Sequence, residues 1–219
     1  MTTRRTAPRS AGGGGKRGAV CVAQLCRGSP GGRRGARMSE RLQQVLTAID
    51  AANAADPAGE ALPYGARMTA ELVRLVPGAS EALQIAARGQ HVERWLLPRA
   101  DYPMGKEGYL AWRREQGRRH GVRVAGMMAD AGYDAALQDQ VAAMLRKEGI
   151  KREPVVQDLE DVICFTFLRW YFQPFAGKHE PDALLKIVEK TARKMSAAGR
   201  AQALAEFDLP EPFAAAFRV

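Results

Sequence analysis

Apolar positions recur along this chain at the spacing of helices rather than of strands. Leu42, Val45, Leu46 and Ile49 fall at i, i+3, i+4, i+7, and Leu137, Val141, Met144 and Leu145 run at helical intervals too; each set lies on one face of a 3.6-residue period. Met68, Leu72, Leu75 and Val76 make a third stripe, ended by Pro77 and Gly78, residues that cannot extend a helix cheaply. Ser80 is placed to cap a helix running to about His91, its hydroxyl taking one of the unpaired first-turn amides. A long helix is expected over residues 106–130, stopping at Gly132. Another begins near Pro154, tolerated at a first helical position because no N–H is needed there, and continues through EDVICFTFLRWYF. That segment is apolar on nearly every side, the mark of a central buried helix. Its β-branched and aromatic residues leave a strand open on periodicity alone, but no hairpin signal elsewhere offers it a partner. A helix over about 181–195 and a short one after Ser196 complete an all-α single domain of seven or eight helices.

Composition divides the chain in two. Residues 1–37 carry nine basic residues, no acidic one, nine of the 22 glycines and two of the three cysteines. A segment without an apolar period cannot bury enough surface to offset the entropy of ordering it. It is expected to be a disordered Gly/Arg-rich extension upstream of a natural start at Met38, with an Arg-rich transit peptide as the competing account. The formal charge of +9 belongs to this extension, because the other 24 of the 33 Lys and Arg face 24 Asp and Glu in residues 38–219. A balanced domain surface argues against nucleic acid as a partner. No apolar run approaches the ~20 residues of a membrane span, and Cys164, alone in the domain, reads as a buried small hydrophobe of a cytoplasmic protein. A homo-oligomer is left open.

Chemistry is sought where polar residues interrupt apolar stripes, since burying one unpaired costs about 1–3 kcal/mol. Tyr109, Trp112, Arg113, Gln116, His120, Val124 and Met127 share one helix face, apolar at both ends and polar between, so Arg113, Gln116 and His120 are expected to look into an interior space. Asp161 precedes Phe165 and Leu168 at i+4 and i+7, which points it toward the core, while its neighbour Glu160 is expected to face solvent or cap the helix. His91 ends an apolar helix just before a Pro-containing connection, where cleft residues gather. Two neutral histidines and a carboxylate make a divalent-metal set, with His91, His120 and Asp161 as its members. Isolated structural histidines and an Asp paired with arginine are the plainer account of the same residues. The connection is basic, and Arg94, Arg99 and Arg113, with Gln90 and Gln116 beside them, are candidates to hold phosphate or carboxylate through guanidinium forks. Arg114 and Arg118 fit the wet face of the long helix, and His179 a polar surface turn. GKEGYLAWR lacks the spacing of a phosphate loop, and no nucleophile elbow is present.

The segments IDAANAADP (49–57), YGARM (64–68), AARGQHVERWLLPRADYPMGKEGYLAWR (86–113), VQDLEDVICFTFLRWYF (156–172) and KTARKMS (190–196) resemble the family of domain of unknown function 4202. The likeness spans nearly all of residues 38–205 and brings no activity with it. A more distant resemblance is to the HD superfamily of metal-dependent phosphohydrolases, all-α domains whose ligands run His, His-Asp, Asp. On that resemblance His91 stands at the His-Asp pair, His120 is a downstream ligand and Asp161 the final Asp. It implies one or two divalent ions (Mn, Fe, Zn or Mg) activating water against a small phosphorylated or nucleotide-like compound. The chain departs from the pattern at Val92, where that superfamily has Asp, and at Arg67, near the place of its first His. Two functions are therefore carried forward: a divergent HD-type hydrolase, and a metal-free domain that binds an anionic metabolite or a partner protein. A purely structural role for the same polar residues remains beside them.

Overall fold

The computed structural model describes residues 38–218, and the expectations for the Gly/Arg-rich extension lie outside them. The described residues contain helices and no strand, so the apolar run after Glu160 is helical. Helix α1 (Glu40–Ala54) starts where Ser39 accepts from the Leu42 amide, α3 (Glu81–Arg88) where Ser80 accepts from Leu83, and α5 (Ala135–Arg146) where Asp134 accepts from Leu137. Between α1 and α3, helix α2 (Ala61–Leu75) is entered through a turn in which the Asp56 carboxylate accepts from the Ala58, Glu60 and Ala61 amides.

The long helix α4 spans Lys106–Asp130, with the bounds the periodicity gives. Its first turn sits so close to the preceding loop that a Cβ at Gly108 would fall 1.9 Å from the Pro103 carbonyl oxygen. Helix α3 stops at Arg88, short of His91, because Gly89, the weakest helix former of the run, opens a turn there. Four residues on, Glu93 adopts φ 50°, the left-handed region, and the chain reverses toward α4.

Helix α6 (Pro154–Thr166) is the buried centre, packed against α2, α3, α5 and the later α8 (Pro181–Lys194). It passes into a π-helical stretch, Phe167–Tyr171, before α7 (Phe172–Ala176). A π turn widens the helix, a distortion frequent at functional sites; here it leaves both Phe167 and Tyr171 on a cleft wall. Ser196 caps α9 (Ala197–Glu206), and α10 (Phe213–Phe217) closes the described chain. The described residues thus hold ten α-helices, two more than the upper expectation; α7, split off by the π stretch, and α10 are five residues each.

Two apolar cores share α6. One gathers Val45, Ile49, Met68, Leu72, Ile85 and Met144 among α1 to α5; the other gathers Phe165, Leu168, Leu184, Val188, Met195 and Phe217. Cys164 is buried at 4% exposure on the second. No helix of the described residues is long and apolar enough to cross a membrane.

Candidate functional site

Between the two cores a cleft of about 810 Å³ opens, walled by α2, the loop after α3, the start of α4, α6 and α8. Its size is within the roughly 300–1,000 Å³ typical of small-molecule sites. One end is apolar, formed by Ile163, Cys164, Phe167, Phe175 and Ile187, and aromatic walls are supplied by Tyr64, Tyr109, Trp112 and Tyr171. Behind it a smaller chamber of about 250 Å³ is lined by Gln90, Gln116, His120, Arg146 and Lys147.

Helix α4 fastens the loop that carries the basic residues. Gln116 Nε2 donates to the Arg94 and Leu97 carbonyls at 2.9 and 3.1 Å, and Trp112 Nε1 donates to Leu97 O at 2.9 Å. The loop being fixed, the Arg94 guanidinium lies 4.5 Å from the Trp112 ring centroid. Arg113, one turn beyond Tyr109, donates to its hydroxyl at 3.3 Å. His91 stacks on Tyr64, with ring centroids 3.7 Å apart and planes 11° from parallel. His120 follows at 6.4 Å from His91, centroid to centroid.

The structure brings together most of the residues singled out in the sequence, with two exceptions. Gln90, His91, Arg94, Arg113, Gln116 and His120 all line the smaller chamber. Gln116 does so as a tie for the loop. Arg99 stands on the rim of the larger cleft, its guanidinium folded back to donate to the Tyr102 and Pro103 carbonyls at 2.8 and 2.9 Å. Asp161 lies away from the histidines. Its carboxylate accepts from Ser196 N at 2.8 Å, Ser196 Oγ at 2.5 Å and Gln157 Nε2 at 3.0 Å. It joins α6 to the cap of α9 so closely that a Cβ at Gly199 would come within 2.7 Å of its Oδ2. Arg114, Arg118 and His179 are exposed, as their setting implies.

The expected orientation of Glu160 and Asp161 is reversed. Glu160 is 2% exposed and lines the cleft, accepting from Lys147 Nζ at 2.7 Å with Lys194 Nζ at 3.6 Å. Both faces of α6 are apolar, so the i+4 and i+7 partners of Asp161 could not say which carboxylate met a cation. The missed signal was the other stripe: Glu160, Ile163, Cys164 and Phe167 share a helix face, and all line the cleft. Lys147 was missed as well; it ends α5 in the left-handed conformation at φ 61°, which turns it toward Glu160.

The electrostatics are those of a cationic site with neutral histidines. Burial, then Arg94 and His120, hold His91 well below its usual value. Burial, followed by Arg94, pushes His120 down to about 3. Burial and the neighbouring Arg113 lower Arg94, and burial lowers Lys147 against the opposing pull of Glu160. Burial also raises the Tyr64 hydroxyl and the Cys164 thiol above their usual ranges, so neither ionises near neutrality. Among the described residues Arg94 and Arg113 form no ion pair with a carboxylate.

These residues do not fit a divalent ion. No carboxylate lines the smaller chamber, the oxygens of Asp161 are engaged with Ser196, and an ion beside the histidines would face Arg94, Arg113 and Lys147. No group of three His, Cys, Asp or Glu residues suited to a metal occurs among the described residues. Val92, where an HD-type enzyme would carry Asp, is 1% exposed and packed in the first core. Glu93 turns away from the site to pair with Arg123 at 2.9 Å.

The model of the domain of unknown function DUF4202 matches residues 43–216. The chain belongs to this family. No curated protein and no solved structure matches it. Membership covers every helix that walls the cleft and both chambers of the site, but it carries no activity of its own.

Proposed function

We propose that this domain binds a small anionic molecule without a metal, its negative group held by Arg94 and Arg113. One observation carries the reading: two guanidinium groups line the same partly buried cleft, neither is paired with a carboxylate among the described residues, and the buried acid of that cleft, Glu160, is taken by Lys147 and Lys194. Like charges so placed disfavour each other, and a phosphate or carboxylate bound through their forks relieves that repulsion while using the planar donors they offer. The neutral histidines add donors without adding charge.

The finer reading is a divergent HD-type phosphohydrolase holding one or two divalent ions at His91, His120 and Asp161. The pairing of His91 with His120 favours it, and the engagement of Asp161 and the surplus of positive charge weigh against it. Both readings are tested on the full chain by thermal shift and metal analysis. With phosphate, nucleoside monophosphates or dicarboxylates present at about a hundred times Kd, the protein should gain ~2.7 kcal/mol of stability. The Arg94→Ala/Arg113→Ala variant should gain none, which removes any contribution of the basic extension. A panel that stabilises neither protein overturns anion binding. Purified protein carrying about one metal ion per chain, lost in His120→Ala, would reinstate the hydrolase in its place.

A further inference from the structure

The two chambers meet at one partition and differ in chemistry. His91, Arg94, Arg113 and Ile163 line both. The larger side carries aromatic and aliphatic walls together with three carboxylates, Asp56, Glu60 and Glu160. The smaller carries Arg94, Arg113, Arg114, Arg146 and Lys147 and no carboxylate at all. Arg146 and Lys147 are paired with Glu148 and Glu160 and Arg114 is exposed to solvent, so the part-buried uncompensated charge is at the partition.

Two side chains that line the smaller chamber each hold a buried polar atom without a partner. The atoms are Gln90 Oε1 and His120 Nε2, in side chains only 6% and 3% exposed. Buried polar groups are hydrogen-bonded in the great majority of folded proteins, so two orphans beside one cavity point to something that fills it. A neutral imidazole can donate from Nε2, and a glutamine amide can present either end. The groups come from different sides: Gln90, His91 and Arg94 from the loop after α3, Arg113 and His120 from α4, Lys147 from the end of α5. A planar carboxylate is satisfied by one guanidinium fork. Donors arriving from three elements suit a tetrahedral head with three terminal oxygens.

Resting on the anion-binding reading above, we propose that the smaller chamber seats a phosphoryl group and the larger cleft holds an apolar or aromatic body. The ligand class is then a phosphate monoester, its bridging oxygen lying at the His91–Arg94–Arg113 partition. Nucleotides and alkyl phosphates share this chemistry, and the aromatic and aliphatic walls accept either body.

Calorimetric titration of the full chain with adenosine 5′-monophosphate, hexyl phosphate, heptanoate, adenosine and inorganic phosphate tests this. At least one of the two esters should bind roughly tenfold or more tightly than inorganic phosphate, adenosine or heptanoate, and the preferred ester assigns the body. Gln90→Leu and His120→Phe should each weaken that ester by roughly tenfold; if His120→Phe does not fold, Gln90→Leu decides alone. Heptanoate or inorganic phosphate binding as tightly as the better of the two esters, or unchanged affinity for that ester in the variants, overturns the proposal and leaves anion binding standing. Absence of binding by every anion overturns both.

Discussion

Two clusters of arginines are built into this domain, and they differ in charge parity. At the junction of α2, the π stretch and α9, Glu71 accepts from Arg169 at 2.6 Å and from Arg74 at 2.7 Å. Glu206 accepts from Arg169 at 2.6 Å and from Arg74 as well, closing a ring of two acids and two bases. At the cleft, Arg94 and Arg113 line the same walls, and the buried acid nearby, Glu160, is already held by Lys147 and Lys194. The ring is complete within the protein and fastens three elements together. The cleft has a surplus of positive charge and polar atoms without a partner, and on the reading proposed above a bound anion completes it. Burial and arginine content are alike in the two places, so neither distinguishes fastening from recognition; the balance does.

The contrast is broken most directly at the ring. Glu71 is 3% exposed, and Glu71→Ala leaves Arg74 and Arg169 with Glu206 alone. Arg74 and Arg169 are about a third exposed and keep Glu206, so the loss is below that of a fully buried pair and nearer the roughly 1.5–3 kcal/mol of hydrogen bonds to charged groups. Urea denaturation of the variant should show it, with the anion-induced thermal shift of the folded protein retained. A loss of stability under about 1 kcal/mol, the worth of an exposed pair, would mean that the ring does not fasten the junction.

Acid separates the two clusters in a second way. His120 is driven down to about 3 from its usual 6.5, so between those values the unfolded chain binds a proton that the folded one refuses. Stability is therefore full above pH 6.5 and falls as pH drops toward about 3, at up to ~1.4 kcal/mol per unit for one histidine. His91, lowered in the same direction, adds to the slope. Beside burial, the groups that oppose protonation of His120 are Arg94, Arg119, Arg113 and Lys147, so this loss arises at the cleft and not at the ring. Denaturation at pH 7, 6 and 5 should show His120→Phe with a shallower slope than the parent chain; equal slopes would place the acid sensitivity elsewhere.

What could be read in advance follows the range of the interactions. The cap at Ser80, the helix after Ser196 and the stripes on α1, α4 and α5 are local, and they reappear: α4 has the expected bounds, while α3 ends three residues before His91. Arg113 and His120 were legible because they interrupt an apolar stripe, and Gln90, His91 and Arg94 because they gather where an apolar helix gives way to a basic, Pro-containing connection; all five line the smaller chamber. Asp161 and Glu160 were not, because α6 is apolar all round. A carboxylate's partner there is fixed by chain remote in sequence: Ser196 for one, Lys147 and Lys194 for the other. The ring of Glu71, Arg74, Arg169 and Glu206 left no trace for the same reason, since pairing across 98 and 132 residues has no local period.

The smallest expected effect is the most discriminating. Arg94→Met gives up the guanidinium contact over Trp112, worth about 0.5–1 kcal/mol, but it also removes a partly buried charge that Arg113 disfavours. The two terms oppose each other, so stability in the absence of ligand should change by less than about 1 kcal/mol, and an increase is as consistent with the geometry as a decrease. The thermal shift produced by phosphate-bearing ligands should vanish in the same variant. A residue whose loss leaves the fold unmoved and abolishes binding belongs to recognition, as a member of the ring cannot. If Arg94→Met instead costs as much as Glu71→Ala, the cleft arginine is a fastener and the distinction by charge balance fails.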